Sequence, residues 1–246
     1  MTIDVEDYYQ VSAFESHVSR DDWSALPSRI ERNLRLILDI LDEHGVSATF
    51  FTLGWIAERH SELIRELVQR GHELASHGYA HVRVNRQDRE AFLEDARRTK
   101  CLLEDMAGVE VKGYRAASYS IDDSTPWAHD VLREIGYRYS SSIYPIRHDH
   151  YGVPDAPRFA FHPIPGDDAF IEVPISTMMI RSRRLPCGGG GYFRLYPYSL
   201  SRWAFRQLNR IENQAGIFYF HPWEIDLEQL SLIHISQLSL IHISQG

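Results

Sequence analysis

The sequence predicts an α/β fold with a mainly parallel sheet, and three observations carry that prediction. Short apolar, β-like runs alternate with amphipathic helical stretches. Several helical stretches close on a glycine, the residue that takes a left-handed cap without strain. With 246 residues, 43% of them hydrophobic, the chain can bury one sizeable core of barrel dimensions.

Taken in order, Ser28-Arg-Ile-Glu31 has capping-box spacing, with Pro27 just before it. Ile30, Leu34, Ile37, Leu38 and Leu41 then recur at helical intervals until Gly45. Residues 46–53 (VSATFFTL) form a buried strand, 61–70 a helix closed by Gly71, and 72–76 (HELAS) a second strand. A long helix over 88–106 ends at Gly108, followed by a strand at 111–114, a helix at 126–135 and a strand at 137–141. Residues 147–191 are rich in Pro, Gly and His and show little periodicity. Within them Pro186-Cys-Gly-Gly-Gly-Gly191 reads as a mobile or tightly turning loop, without the strand–GxxxxGK[ST]–helix context of a phosphate cradle. A helix over 200–213 and a strand at 217–221 (IFYFH) complete the domain, residues 1–228. The tail, 229–246, contains QLSLIHIS twice in identical tandem copies. Structural repeats have periods of roughly 20–50 residues and diverged copies, so this tail is expected to be artefactual and unstructured.

Composition excludes some partners. A net charge of −8 disfavours nucleic acid, and Arg181-Ser-Arg183-Arg184 is too short a basic cluster to reverse that; it reads as a solvated loop. Cys101 and Cys187 lack CxxC or CxxH spacing, which argues against a disulfide framework or thiolate zinc site; Cys101 is expected as a small buried hydrophobe. No run approaches the ~18 apolar residues that span a bilayer, and the start lacks a basic region followed by an apolar one. The expected location is therefore cytoplasmic, although the first strand would open at Met1, so native termini are expected beyond both ends.

Four clusters fall where strands should end, the positions at which α/β folds build sites. Asp4-Val-Glu-Asp7 puts three carboxylates within four residues, which calls for a metal, a basic partner or raised pKa values. Strand alternation places Glu6 on the face of Asp4, whereas a turn after Val5 would favour Asp7 instead. His77-Gly-Tyr-Ala-His81 offers two imidazoles that meet one ion if the backbone between them makes a helical turn. Arg115, after the 111–114 strand, is a fixed cation able to hold a nearby carboxylate ionised and aimed. His221 closes an apolar strand before Pro222 and can protonate a leaving group near neutral pH.

In that order these clusters resemble the NodB-type polysaccharide deacetylases (carbohydrate esterase family 4). The strings TIDVEDYYQVSAF, ATFFTLGWIAE, GHELASHGYAH, GYRAASYSI and FYFHPWEID are similar to the branch found with exosortase-linked exopolysaccharide gene clusters. The resemblance implies a distorted (β/α) barrel holding a divalent metal, usually zinc, and acting on an N-acetylated polysaccharide or oligosaccharide. It implies Asp4 as general base, His77 and His81 as ligands with one of Glu6 and Asp7, Arg115 orienting Asp4, and His221 as general acid. Tyr119 and Trp223 are expected to contact the sugar. The chain departs from the pattern in three places: the second acid of the first motif is displaced from its usual position beside Asp4, Ala117 replaces a proline that would stiffen the Arg115 loop, and Ser140 replaces an aspartate. Two other readings remain: a metal-independent hydrolase of a small cyclic amide on the same barrel, and a catalytically dead sugar-binding domain.

Overall fold

The computed structural model describes residues 1–148 and 151–228; the repeated tail lies outside the described residues. Strands β1 (Thr2–Val5), β2 (Thr49–Thr52), β3 (Glu73–Ser76), β4 (Gly113–Tyr114), β5 (Tyr139–Ser140) and β6 (Ile171–Glu172) pair in parallel in chain order. Strands β7 (Thr177–Ile180) and β8 (Arg183–Pro186) form an antiparallel hairpin of their own. The last strand, β9 (Tyr219–Phe220), returns to pair in parallel with the free side of β1. The order β6-β5-β4-β3-β2-β1-β9 is a seven-stranded parallel half-barrel, left open between β6 and β9, as the expected distorted barrel requires.

Helices α1 (Ile30–Glu43), α2 (Gly54–Arg59), α3 (Ser61–Gln69), α4 (Arg89–Ala107) and α5 (Ala128–Ile135) connect the first strands. Their inward stripes share one apolar core with Ile3, Val5, Phe50 and Leu74 of the sheet. In α1 that stripe is Ile30, Leu34, Ile37, Leu38 and Leu41, as its periodicity predicts, and each buried leucine contributes about 2 kcal/mol. Gly45, Gly71, Gly108 and Gly136 all adopt positive φ at the helix ends where they stand.

Some local expectations fail for identifiable reasons. The capping box at Ser28 does not form: Arg29 is the N-cap of α1, and its N–H donates to the Asp7 carboxylate at 2.9 Å. Cys101 is exposed, because the inward stripe of α4 runs through Phe92, Ala96, Thr99, Lys100 and Leu103 and leaves residue 101 off it. Helix α2 was hidden in an apolar run; it starts at Gly54, where a Cβ would come within 2.6 Å of the Tyr79 ring. The irregular segment contains β6 and the β7–β8 hairpin, too short to show periodicity, and Arg184 is not a solvated loop residue but donates to the Pro154 and Ala156 carbonyls, each at 2.6 Å. After it come α6 (Gly190–Leu195) and α7 (Tyr198–Arg206), so the last helix stops seven residues short of the expected end and continues only as a wide turn to Ile211.

The glycine run is the largest correction. Cys187 to Gly190 are buried, and Gly188–Gly189 run alongside β9, with the Tyr219 N–H donating to the Gly188 carbonyl at 2.7 Å. A Cβ on Gly188 would lie 2.5 Å from the Ile217 carbonyl, and one on Gly189 would lie 2.9 Å from the Tyr219 ring. The glycines thus let a second backbone approach the edge strand, a close-approach role and not a loop's.

Candidate active site and metal centre

The ends of β1, β3, β4 and β9 converge on a cleft of about 620 Å³ whose lining includes Asp4, Glu6, His77, His81 and His221. A larger apolar cavity of about 750 Å³ lies on the far side of β9 and contains none of the expected site residues. The expected site residues therefore gather in the smaller, more polar space.

Glu6, His77 and His81 each present one ligand atom, all within 4.8 Å of one another, and all three residues are buried. The His77 Nδ1 lies 2.8 Å from the Arg115 carbonyl. A carbonyl only accepts, so Nδ1 carries the proton and Nε2 offers its lone pair to the cluster. The turn joining the two histidines is not helical. It bends at Gly78 (φ +74°) and again at His81, whose φ of 52° is rare for a side chain of this size. Half-buried Asp95 holds the bend by accepting from the Tyr79 N–H at 3.2 and 3.3 Å, and its desolvation pushes the carboxyl up to about 6. Arg20 clamps the far end, donating to the Ala80 and His81 carbonyls at 2.8 and 3.2 Å.

Two imidazoles and one carboxylate are a donor set suited to a divalent transition metal. The local electrostatics fit such an ion. Glu6 Oε2 lies 3.0 Å from His81 Nε2, but no well-aligned hydrogen bond satisfies it, which leaves a buried anionic oxygen facing the ligand nitrogens. Burial opposes the Glu6 charge, yet the fields of His81, His221 and His77 and the contact with His81 outweigh it and hold the carboxyl down at about 2. Burial lowers His77 to about 4, which keeps it in the neutral form that ligates.

Asp7 is not part of this group. Its carboxylate accepts from the Tyr8 N–H at 3.0 Å and the Arg29 N–H at 2.9 Å, capping a short helical turn and the start of α1 at once. Of the two alternatives, Glu6, which shares the face of Asp4, is the one grouped with His77 and His81.

Asp4 meets Arg115 through a 2.6 Å contact between Oδ1 and Nη1. Arg115 is fully buried and pinned in several directions: Nη1 to Thr2 Oγ1 at 2.9 Å, Nε to the Ser141 carbonyl at 3.1 Å and Nη2 to Ser141 Oγ at 2.9 Å. The alanine at 117 therefore does not leave Arg115 loose. The Ser140 hydroxyl donates to Ser142 Oγ at 2.7 Å, while Glu172 on β6 accepts from the Ser142 and Ile143 N–H groups at 2.8 and 2.9 Å and fixes the loop below Arg115.

His221 points Nε2 into the cleft, 3.2 Å from Glu6 Oε1 and 3.9 Å from Asp4 Oδ2. Its Nδ1 is 2.6 Å from Glu224 Oε1, which also accepts the His221 backbone N–H at 3.1 Å. Burial lowers the imidazole pKa, but Glu224, Glu6 and Asp4 together raise it to about 9. Trp223 stacks on the His221 ring with centroids 5.0 Å apart. Tyr119 and Trp223 both line the cleft, although each is mostly buried, and Tyr119 packs against Tyr144, Tyr151 and Tyr219.

Glu224 escaped sequence reasoning as a functional residue, as did Arg83, Arg86 and Tyr151 at the cleft wall. For Glu224 a signal existed. His221-Pro-Trp-Glu224 has the i, i+3 spacing of a capping box with proline at N1, which folds the carboxylate back onto the histidine.

Residues 21–140 match the family model described as polysaccharide deacetylase, and residues 141–243 match the domain of unknown function DUF3473. A chitooligosaccharide deacetylase of Sinorhizobium fredii is 36% identical over 99 residues, covering 39% of this chain and 42% of that protein. A peptidoglycan-N-acetylglucosamine deacetylase of Bacillus cereus is 30% identical over 93 residues, 37% of this chain and 34% of that protein. The chain thus spans less than half the length of these relatives. Among solved structures, one from Mycobacterium smegmatis ascribed to a polysaccharide deacetylase superposes with a TM-score of 0.62 at 22% identity, covering all of this chain and 89% of that one. A family 4 carbohydrate esterase from Streptomyces lividans, in complex with acetate, gives 0.51 at 16% identity over 90% of this chain and 85% of that one. At these identities the structures establish the shared fold.

Proposed function

From a chain that carries a polysaccharide deacetylase domain over residues 21–140, we propose a metal-dependent hydrolase that removes N-acetyl groups from an amino-sugar polysaccharide and releases acetate. The exopolysaccharide class of substrate and the exosortase-linked branch are part of this proposal and rest on the motif strings. The observation that carries the activity is the grouping of Glu6, His77 and His81 beside an Arg115-held Asp4 and a Glu224-held His221.

A divalent ion held by Glu6, His77 and His81, zinc in the first instance, supplies Lewis-acid polarisation of water and the acetamide carbonyl. The remaining work falls to the chain's own residues. Asp4 accepts the proton of the attacking water at Oδ2, since Oδ1 is taken by Arg115. Arg115 keeps Asp4 ionised and aimed without itself titrating. Water oxygen bonds to the acetamide carbon, the carbon–nitrogen bond breaks, and His221 Nε2 gives its proton to the departing amine. Glu224 holds the Nδ1 proton and so stabilises the imidazolium; this support persists when a cation offsets the charge of Glu6.

The test is acetate release from an N-acetylglucosamine tetramer by wild type and by His221→Ala, with zinc affinity measured alongside. The variant is expected to keep its zinc affinity and lose about 10²–10⁴-fold in kcat. Unchanged kcat, or loss of zinc binding with His221 alone removed, would contradict its role as acid.

A further inference from the structure

The net charge of −8 conceals a local reversal. Residues 173–211 contain seven arginines and no aspartate or glutamate. Two of the seven are engaged within the fold: Arg184 donates to the Pro154 and Ala156 carbonyls, and Arg194 pairs with Glu224. Arg202, Arg206 and Arg210 recur every four residues along α7 and the wide turn after it, and all three are exposed. Among the described residues none of these three has a carboxylate partner; Glu212, the nearest acid in sequence, pairs with Arg158 at 2.6 Å instead. The other side of the helix explains the row. Ala204 and Leu208 are buried with Met178 and Cys187, so the arginines face away from the protein.

Apolar surface lies beside this row. The cavity of about 750 Å³ on the far side of β9 is walled by Phe193, Phe205, Phe218 and Phe220, and its lining also includes Arg202 and Arg206. Leu195, Tyr198 and Ile211 are 65, 66 and 74% exposed, and Trp203 is 40% exposed. Alternation along β9 sends Phe218 and Phe220 to this cavity and Tyr219 to the cleft that holds Asp4 and His221. The two openings therefore belong to opposite faces of one strand, and a partner seated on the first leaves the second clear.

Unpaired guanidinium groups next to exposed aliphatic and aromatic side chains call for a partner that is anionic and apolar at once. An acidic protein loop would satisfy the arginines but leave the phenylalanine-walled cavity, Leu195 and Ile211 in water. A bilayer surface satisfies both: lipid phosphates accept from guanidinium, Tyr and Trp sit at the headgroup level, and aliphatic side chains reach the acyl boundary. We propose that the α6–α7 face docks on a membrane rich in anionic phospholipid, with Arg202, Arg206 and Arg210 on the phosphates and the phenylalanine-walled cavity open to the acyl chains. Such a contact is peripheral and needs no membrane-spanning helix.

The test is co-sedimentation of the full chain with vesicles of phosphatidylcholine alone and with vesicles containing about one-third phosphatidylglycerol. Binding is expected only to the anionic vesicles and should fall as salt is raised to about 0.5 M. The bulk charge of −8 opposes that binding, so it reports a local patch. The triple variant Arg202→Gln/Arg206→Gln/Arg210→Gln is expected to lose about 100-fold in vesicle affinity, roughly fivefold per arginine, and to melt like wild type because all three side chains are exposed. The lipid and salt comparisons on wild type need no variant. Absence of binding to anionic vesicles at low salt overturns the inference, as do equal binding to phosphatidylcholine and binding that survives the triple substitution. So does a dimer, seen by light scattering, that the triple substitution dissociates, since this face would then be an interface between copies of the chain.

Discussion

Asp4, Glu6 and Asp7 lie within four residues, yet the backbone gives each a different task. Asp4 pairs with Arg115, Glu6 joins the two histidines, and Asp7 caps α1. Substitution should separate them. Glu6→Gln is expected to weaken zinc affinity by at least tenfold with little change in apo stability, since one ligand is lost while the helix cap remains. Asp7→Ala should keep zinc affinity and cost about 1–2 kcal/mol of stability, because the capping carboxylate is removed. Zinc titration and thermal melting of both variants check this; the opposite pattern would make Asp7 the ligand. The sequence placed every one of these groups at a strand end, and alternation along β1 already favoured Glu6. It could not exclude Asp7, because the decisive contact, to the Arg29 N–H, joins residues 22 apart.

At the element scale, the edge of the barrel positions the proposed acid. Gly190 opens α6 where a Cβ would lie 2.4 Å from Glu224 Oε2, on the carboxylate that holds His221 and pairs with Arg194. Gly190→Ala is therefore expected to shift Glu224, misalign His221 and lower kcat at least tenfold while zinc affinity is kept. Gly191→Ala, where nothing lies within 4 Å of the added Cβ, should leave kcat within about twofold. Equal effects at the two positions would contradict the packing account. Helices α1, α3, α4 and α5 were legible because their apolar stripes are long and their glycine stops are local. The glycine run was misread for a physical reason: its partner, β9, lies roughly 30 residues later, and a close backbone approach leaves no periodic trace.

For the whole molecule, the half-barrel is the device that turns distant sequence into one site. Asp4 and Glu6, His77 and His81, Arg115, and His221 lie on or just after β1, β3, β4 and β9, strands that the parallel order gathers with β2 alone between β1 and β3. Asp4, Glu6 and His221 fall outside residues 21–140, so the deacetylase match covers the histidine pair and Arg115 but not the proposed base and acid. The strand-end pattern foretold the convergence. It did not reveal the supporting groups, Glu172, Ser141 and Glu224, whose roles exist only in three dimensions. Among the described residues no helix is long and apolar enough to cross a membrane.

The account stands or falls on whether these groups hydrolyse an acetamide with a bound metal. The most direct measurement is acetate release from N-acetylglucosamine oligomers by the purified protein as prepared, after chelation, and after zinc is restored. The account predicts activity that disappears on chelation and returns with about one zinc per chain. Acetate release that persists at full rate in a chelated protein shown to be free of metal would contradict it.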